Sequence, residues 1–121
     1  MTIGVLSKRS GRSVHTLRYY EAQRLMPTVT RDAGGRRVYT DLHASWLDLL
    51  DRLRESGMSI ADMRTFTALI SEGDTTVRRR RVFLRAHRER VALKLRALEK
   101  CVAHIDYKLA AYDRWIKAHK R

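Results

Sequence analysis

From Thr76 to His119 the chain contains neither glycine nor proline, and nothing else in the sequence limits its fold so tightly. Apolar residues there step three and four positions apart: Leu84, Val91, Leu95, Leu98, Val102, Ile105, Leu109, Tyr112 and Ile116, with Arg88 as the interruption. A seam of that period, sustained over several turns, predicts one long coiled-coil helix. A helix of about 40 residues is about 60 Å long, further than one small domain reaches. The seam therefore calls for a second chain. The nine apolar residues are the expected dimerisation set, and a homodimer is the expected assembly. At 121 residues the chain has room for one further compact domain. We place the boundary at residue 73, giving domains 1–73 and 74–121.

Local signals divide the first 73 residues. A short helix over 2–9 carries Ile3, Val5 and Leu6, and Gly11 breaks it within Ser10–Arg12. Ser13 is placed to cap a second helix, in which Val14, Leu17 and Tyr20 recur at helical spacing. Helix, glycine-containing turn, helix is the helix-turn-helix pattern. After Pro27, β-prone pieces at Thr28–Arg31 and Arg37–Tyr39 flank "DAGG", which predicts a two-stranded wing. Thr40 or Asp41 starts a third helix with a stripe of Leu42, Trp46, Leu49, Leu50 and Leu53, ended by Gly57. Ser59 starts a fourth, carrying Ile60, Met63, Phe66, Leu69 and Ile70, which stops at Gly73. The fold class is thus mainly α: a winged helix-turn-helix, a second helix pair and a long C-terminal coiled-coil helix.

Lysine and arginine outnumber aspartate and glutamate by 26 to 13, a formal charge of +13. Such an excess favours a polyanion, because neutralising phosphates releases condensed counterions. The charge is uneven: residues 1–73 hold 11 basic against 8 acidic side chains, and 74–121 hold 15 against 5. Net charge alone therefore does not locate a binding face. No apolar run approaches the length of a membrane span, and "MTIGVLSKRSG" lacks the features of a signal peptide. A cytoplasmic, nucleoid-associated location without a membrane partner is expected. Cys101 is the only cysteine, which rules out an intrachain disulfide or an all-cysteine metal site. His15, His43, His87 and His119 are scattered and read as surface or edge residues. No catalytic arrangement, metal site or cofactor motif is visible, so the chain is not expected to be an enzyme.

The stretch "SVHTLRYYEAQRL" puts Arg18, Tyr19 and Tyr20 side by side on the second helix. Arginine can serve a phosphate or a guanine edge, and a tyrosine hydroxyl can donate to a phosphate oxygen. Arg18 and Tyr19 project about 100° apart, while Tyr20 turns toward the packing edge. Followed by "GGRRVYT", this helix resembles the recognition helix of MerR-family transcriptional regulators, and the resemblance implies a DNA-contacting set of Ser13, Thr16, Arg18, Tyr19 and Tyr20 on the helix, with Arg31, Arg36, Arg37 and Tyr39 on the wing.

The stretches "TIGVLSKRSGRSVHTLRYYEAQRLM", "GGRRVYT" and "LRESGMSIADMR" resemble the DNA-binding domain of MerR-family transcriptional regulators. The resemblance implies an antiparallel long helix in a homodimer bound to pseudo-palindromic promoter DNA. It also implies distortion of an over-long promoter spacer so that RNA polymerase can use it, with activator or repressor behaviour. The family's usual wing sequence is Asn-Gly-Tyr-Arg-x-Tyr; here Arg36 stands where the aromatic would be. "EGD-T" before the long helix resembles the branch that responds to aldehyde and other electrophile stress, implying a small-molecule or electrophile effector. That branch often carries a cysteine near 51–53, and this chain has none there. Cys101, beside Lys100 and one turn from His104, is the remaining candidate sensor, since a nearby cation can make a thiol reactive. Two other readings stand beside this one: an excisionase-like architectural DNA-binding protein, and a basic coiled-coil adaptor for RNA or an acidic protein.

Overall fold

A computed structural model describes residues 1–120. The elements are α1 (Ile3–Ser10), α2 (Val14–Ala22), β1 (Thr30–Arg31), β2 (Arg37–Val38), α3 (Asp41–Glu55), α4 (Ile60–Ser71), a 3-10 turn (Asp74–Thr76) and α5 (Val77–Ala118). Met1–Arg85 form one compact unit and the chain from Ala86 onward a second.

Thr2 caps α1, its hydroxyl accepting from the Val5 N–H at 3.3 Å. The helix runs to Ser10, one residue later than the sequence suggests, and Gly11 then takes φ 69° to turn the chain. Ser13 caps α2 by accepting from the Thr16 N–H at 3.1 Å, as expected. The exit from α2 is less usual. Leu25 N–H returns to the Tyr20 carbonyl and Arg24 N–H to the Glu21 carbonyl. This Schellman closure forces Arg24 to φ 59°, a conformation normally left to glycine. The same closure ends α3 with a real glycine: Met58 N–H bonds Leu53 O, Gly57 N–H bonds Arg54 O, and Gly57 has φ 94°.

The wing is an antiparallel pair in which Thr30 faces Val38 and Arg31 faces Arg37. Both strands are shorter than expected. Thr28 instead donates its N–H to Ser71 on α4, and Tyr39 donates its N–H to the Met1 carbonyl. Asp32 holds the hairpin loop, its carboxylate accepting from the Gly34 and Arg36 N–H groups.

The core joins Leu6 of α1, Leu17 and Tyr20 of α2, Trp46, Leu47, Leu50 and Leu53 of α3, and Met63 and Phe66 of α4. Stacked rings extend it from Trp46 to Phe66 (5.6 Å between centroids) and on to Phe83 at the start of α5 (5.7 Å). Two helix faces depart from the expected stripes. On α3 Leu42 is exposed and His43 buried, because His43 is used as a capping group: its Nδ1 accepts from the Thr40 N–H at 3.0 Å. On α4 Ile60 is exposed and Thr67 buried, the Thr67 hydroxyl donating to the Met63 carbonyl at 2.7 Å. His87 is buried as well, so two of the histidines read as surface residues are not.

In the second unit α5 continues as an unbroken helix. Leu95, Leu98, Val102, Ile105, Leu109, Tyr112 and Ile116 are each more than half exposed, while Val91 is half-buried. Leu84, in the first unit, packs against the core there. Cys101 is exposed.

Candidate nucleic-acid interface

The turn between α1 and α2 is fixed from below. Arg12 hydrogen-bonds the Ser10 and Leu47 carbonyls and ion-pairs with Asp51 on α3, with Asp48 at 3.5 Å. Its side chain is mostly buried, so the angle of α2 is set by α3. Arg64 of α4 grips the other end of α2, donating to the Gln23 carbonyl (2.8 Å) and to Gln23 Oε1 (2.6 Å). Neither arginine was marked by sequence reading. Their partners are far away in sequence, and only the folded chain brings them together.

On the outer face, Arg18 from α2 and Arg36 and Arg37 from the wing line one recess of about 260 Å³, with Thr2, Ile3 and Tyr39. A recess lined by three arginines is suited to a phosphate. Tyr19, next to Arg18 on α2, is exposed, its ring 6.1 Å from that of Tyr20. The Thr16 side chain is half-buried and accepts from the Ser13 hydroxyl at 2.9 Å. Ser13 is thereby committed to the helix cap as much as to any ligand. Arg31 is exposed and donates across the hairpin to the Gly35 carbonyl at 2.8 Å.

Two residues expected to face DNA are placed in the core instead. Tyr20 is 6% exposed and Tyr39 2%. The Tyr20 hydroxyl accepts from Arg54 at 3.2 Å, and the Tyr39 hydroxyl points to Glu21 at 3.4 Å. Burial, followed by the negative charge of Glu21, pushes the Tyr39 phenol above its usual pKa. Glu21 also takes Arg37 in an ion pair of 2.8 Å. The sequence did carry a signal for Glu21: it is the only acidic residue among the first 31.

The family model for the MerR HTH family regulatory protein matches residues 1–70. The chain belongs to the MerR family. An uncharacterized HTH-type transcriptional regulator of Haemophilus influenzae is 33% identical over 113 residues, 93% of this chain and 84% of that protein. Among solved structures, a MerR-family regulator from Listeria monocytogenes superposes with a TM-score of 0.85 at 28% identity, covering 99% of this chain and 92% of that one. HiNmlR, a MerR-family regulator lacking the sensor domain and bound to promoter DNA, gives 0.75 at 33% identity, covering 98% and 93%. This MerR-family chain therefore has the fold and relatives of transcriptional regulators, which are not enzymes. Among the described residues no group of three or more histidine, cysteine or acidic side chains could hold a metal. No helix there is long and apolar enough to cross a membrane.

Proposed function

We propose that this MerR-family regulator binds double-stranded promoter DNA as a homodimer, with Arg18, Tyr19, Arg36 and Arg37 at the contact face and Ser13, Thr16 and Arg31 at its margin. The observation that carries the reading is the recess in which α2 and the wing present three arginines together. Tyr20 and Tyr39 serve this face from behind, by fixing α2 and β2 to the core. The exposed apolar face of α5 supports pairing through Leu95, Leu98, Val102, Ile105, Leu109, Tyr112 and Ile116, with the half-buried Val91 and Leu84 at its start. Two antiparallel copies would hold two recognition helices at a fixed separation on a pseudo-palindromic site. A 42-residue helix is superfluous to a monomeric architectural protein, which sets the excisionase reading behind this one.

Control of transcription then follows from distorting an over-long spacer for RNA polymerase, a deformation of order several kcal/mol supplied by backbone contacts. On this reading the protein acts on the nucleoid. An electrophile or other small effector would act through dimer geometry, with the exposed Cys101 as the candidate sensor. In vitro transcription from the gene's own upstream promoter, with the spacer shortened base pair by base pair, is the test. Regulation is expected to fade as the spacer approaches the length polymerase uses unaided. Regulation independent of spacer length would sink the distortion mechanism.

A further inference from the structure

Glu21 lies between two recesses that are each lined by arginines. Six lysines and arginines accompany it among the first 31 residues, with no other acid. On one side its Oε2 lies 2.8 Å from Arg37, which with Arg18 and Arg36 lines the arginine recess. On the other side Glu21 itself lines a recess of about 500 Å³ with Arg24 and Arg64. Its side chain is 17% exposed, and its other oxygen receives the Tyr39 hydroxyl at 3.4 Å. A carboxylate this covered, with both oxygens engaged, is poorly placed to read a base. What it can do is hold Arg37 and subtract one charge from the field that a phosphate meets.

The geometry points to Glu21 as a specificity-determining residue: a built-in counter-charge that positions Arg37 and restrains binding to non-target DNA. The inference rests on the DNA-binding reading above. Non-specific association is almost entirely the phosphate term, so one negative charge in the face weakens it in full. Binding at the promoter also draws on contacts to base edges, which depend on the wing staying registered to α2. Glu21 supports that register through Arg37 in β2 and Tyr39 just after it, and so offsets at the target what its charge takes away. Specificity is the difference between the two affinities.

The test compares the wild-type chain with Glu21→Gln, Arg37→Gln and the double variant, by fluorescence anisotropy across a salt series. One duplex carries the gene's own upstream promoter and the other a scrambled sequence of equal composition. Glutamine keeps the shape and an acceptor oxygen, and thermal unfolding checks that the fold survives. Glu21→Gln is expected to bind the scrambled duplex about three- to tenfold more tightly, with a slope of log K against log salt steeper by about one, because Arg37 is freed for a phosphate. Promoter affinity should rise less or fall, so the specificity ratio drops. The double variant should bind the scrambled duplex somewhat more tightly than Arg37→Gln alone, because the counter-charge is gone, but by less than Glu21→Gln gains over the wild type, because no Arg37 is there to be freed. Scrambled-duplex affinity and slope unchanged in Glu21→Gln would overturn the proposal. Loss of promoter binding alone at an unchanged slope would also overturn it, making Glu21 a base reader. A wild-type chain that binds neither duplex removes the DNA-binding reading itself.

Discussion

The Trp46 indole N–H donates to the Leu25 carbonyl across 2.6 Å, fastening α3 to the chain just where it leaves α2. Both residues are buried, so water cannot replace the bond. Trp46→Phe would keep the stack on Phe66 but orphan the carbonyl. The expected cost is about 1–3 kcal/mol, read as a lower urea midpoint with little change in slope. An unchanged midpoint would mean the Leu25 carbonyl finds another donor.

Arg24 occupies a left-handed conformation at the end of α2, which costs an ordinary side chain about 1–2 kcal/mol. Arg24→Gly relieves it while adding freedom to the unfolded chain. We expect a net gain of about 0.5–1 kcal/mol in thermal unfolding. A loss of stability would show that the arginine side chain contributes more than its backbone costs.

Arg18→Ala should weaken promoter binding by about 1–3 kcal/mol, and Tyr19→Phe by less, since only a hydroxyl is removed. Both side chains are exposed, so folding and assembly should be untouched. Promoter affinity at the wild-type level in both variants would remove α2 from the interface.

Tyr39 gives the protein an alkaline limit. Its phenol titrates above the ordinary 10.0 in the folded state, so the folded chain favours the protonated form. That contribution is intact below pH 10.0, the unfolded value, and is lost as pH climbs through it toward the raised native one. Tyr39→Phe should flatten this decline and change little at pH 7, because the hydroxyl's contact with Glu21 is long at 3.4 Å. Parallel stability curves for the two proteins above pH 10 would contradict this.

Leu98→Lys places a charge in the exposed face of α5. Sedimentation should show a shift from dimer to monomer, with promoter affinity falling far more than the stability of residues 1–85. A variant that stays dimeric would mean the pairing surface lies elsewhere.

Most of the fold was legible because it rests on local rules. Gly11, Ser13, Pro27 and Gly57 punctuate the chain where the structure turns, and the breaker-free stretch is the long helix. What escaped depended on contacts distant in sequence. Leu42 and His43 compete for one face of α3, and a cap bond, not hydropathy, decides between them. A tyrosine's two ends explain why motif and burial point in different directions here. Tyr20 and Tyr39 look like DNA contacts in a motif, yet each buries its ring and spends its hydroxyl on a neighbouring side chain. Arg12 and Arg64 were invisible for the complementary reason: their partners Asp51 and Gln23 lie 39 and 41 residues away.

The exposed face of α5 has a consequence for how such a regulator responds to its own abundance. If the working form is the pair, promoter occupancy at low expression grows with the square of the chain concentration rather than in proportion to it. A lone copy would also carry an apolar stripe for proteases and chaperones to find. Dilution by cell growth would then silence the regulator faster than it removes the protein, and a modest rise in synthesis would restore it sharply. On the proposed pairing, the seam that would set the distance between two recognition helices would also set the threshold at which there is a regulator at all.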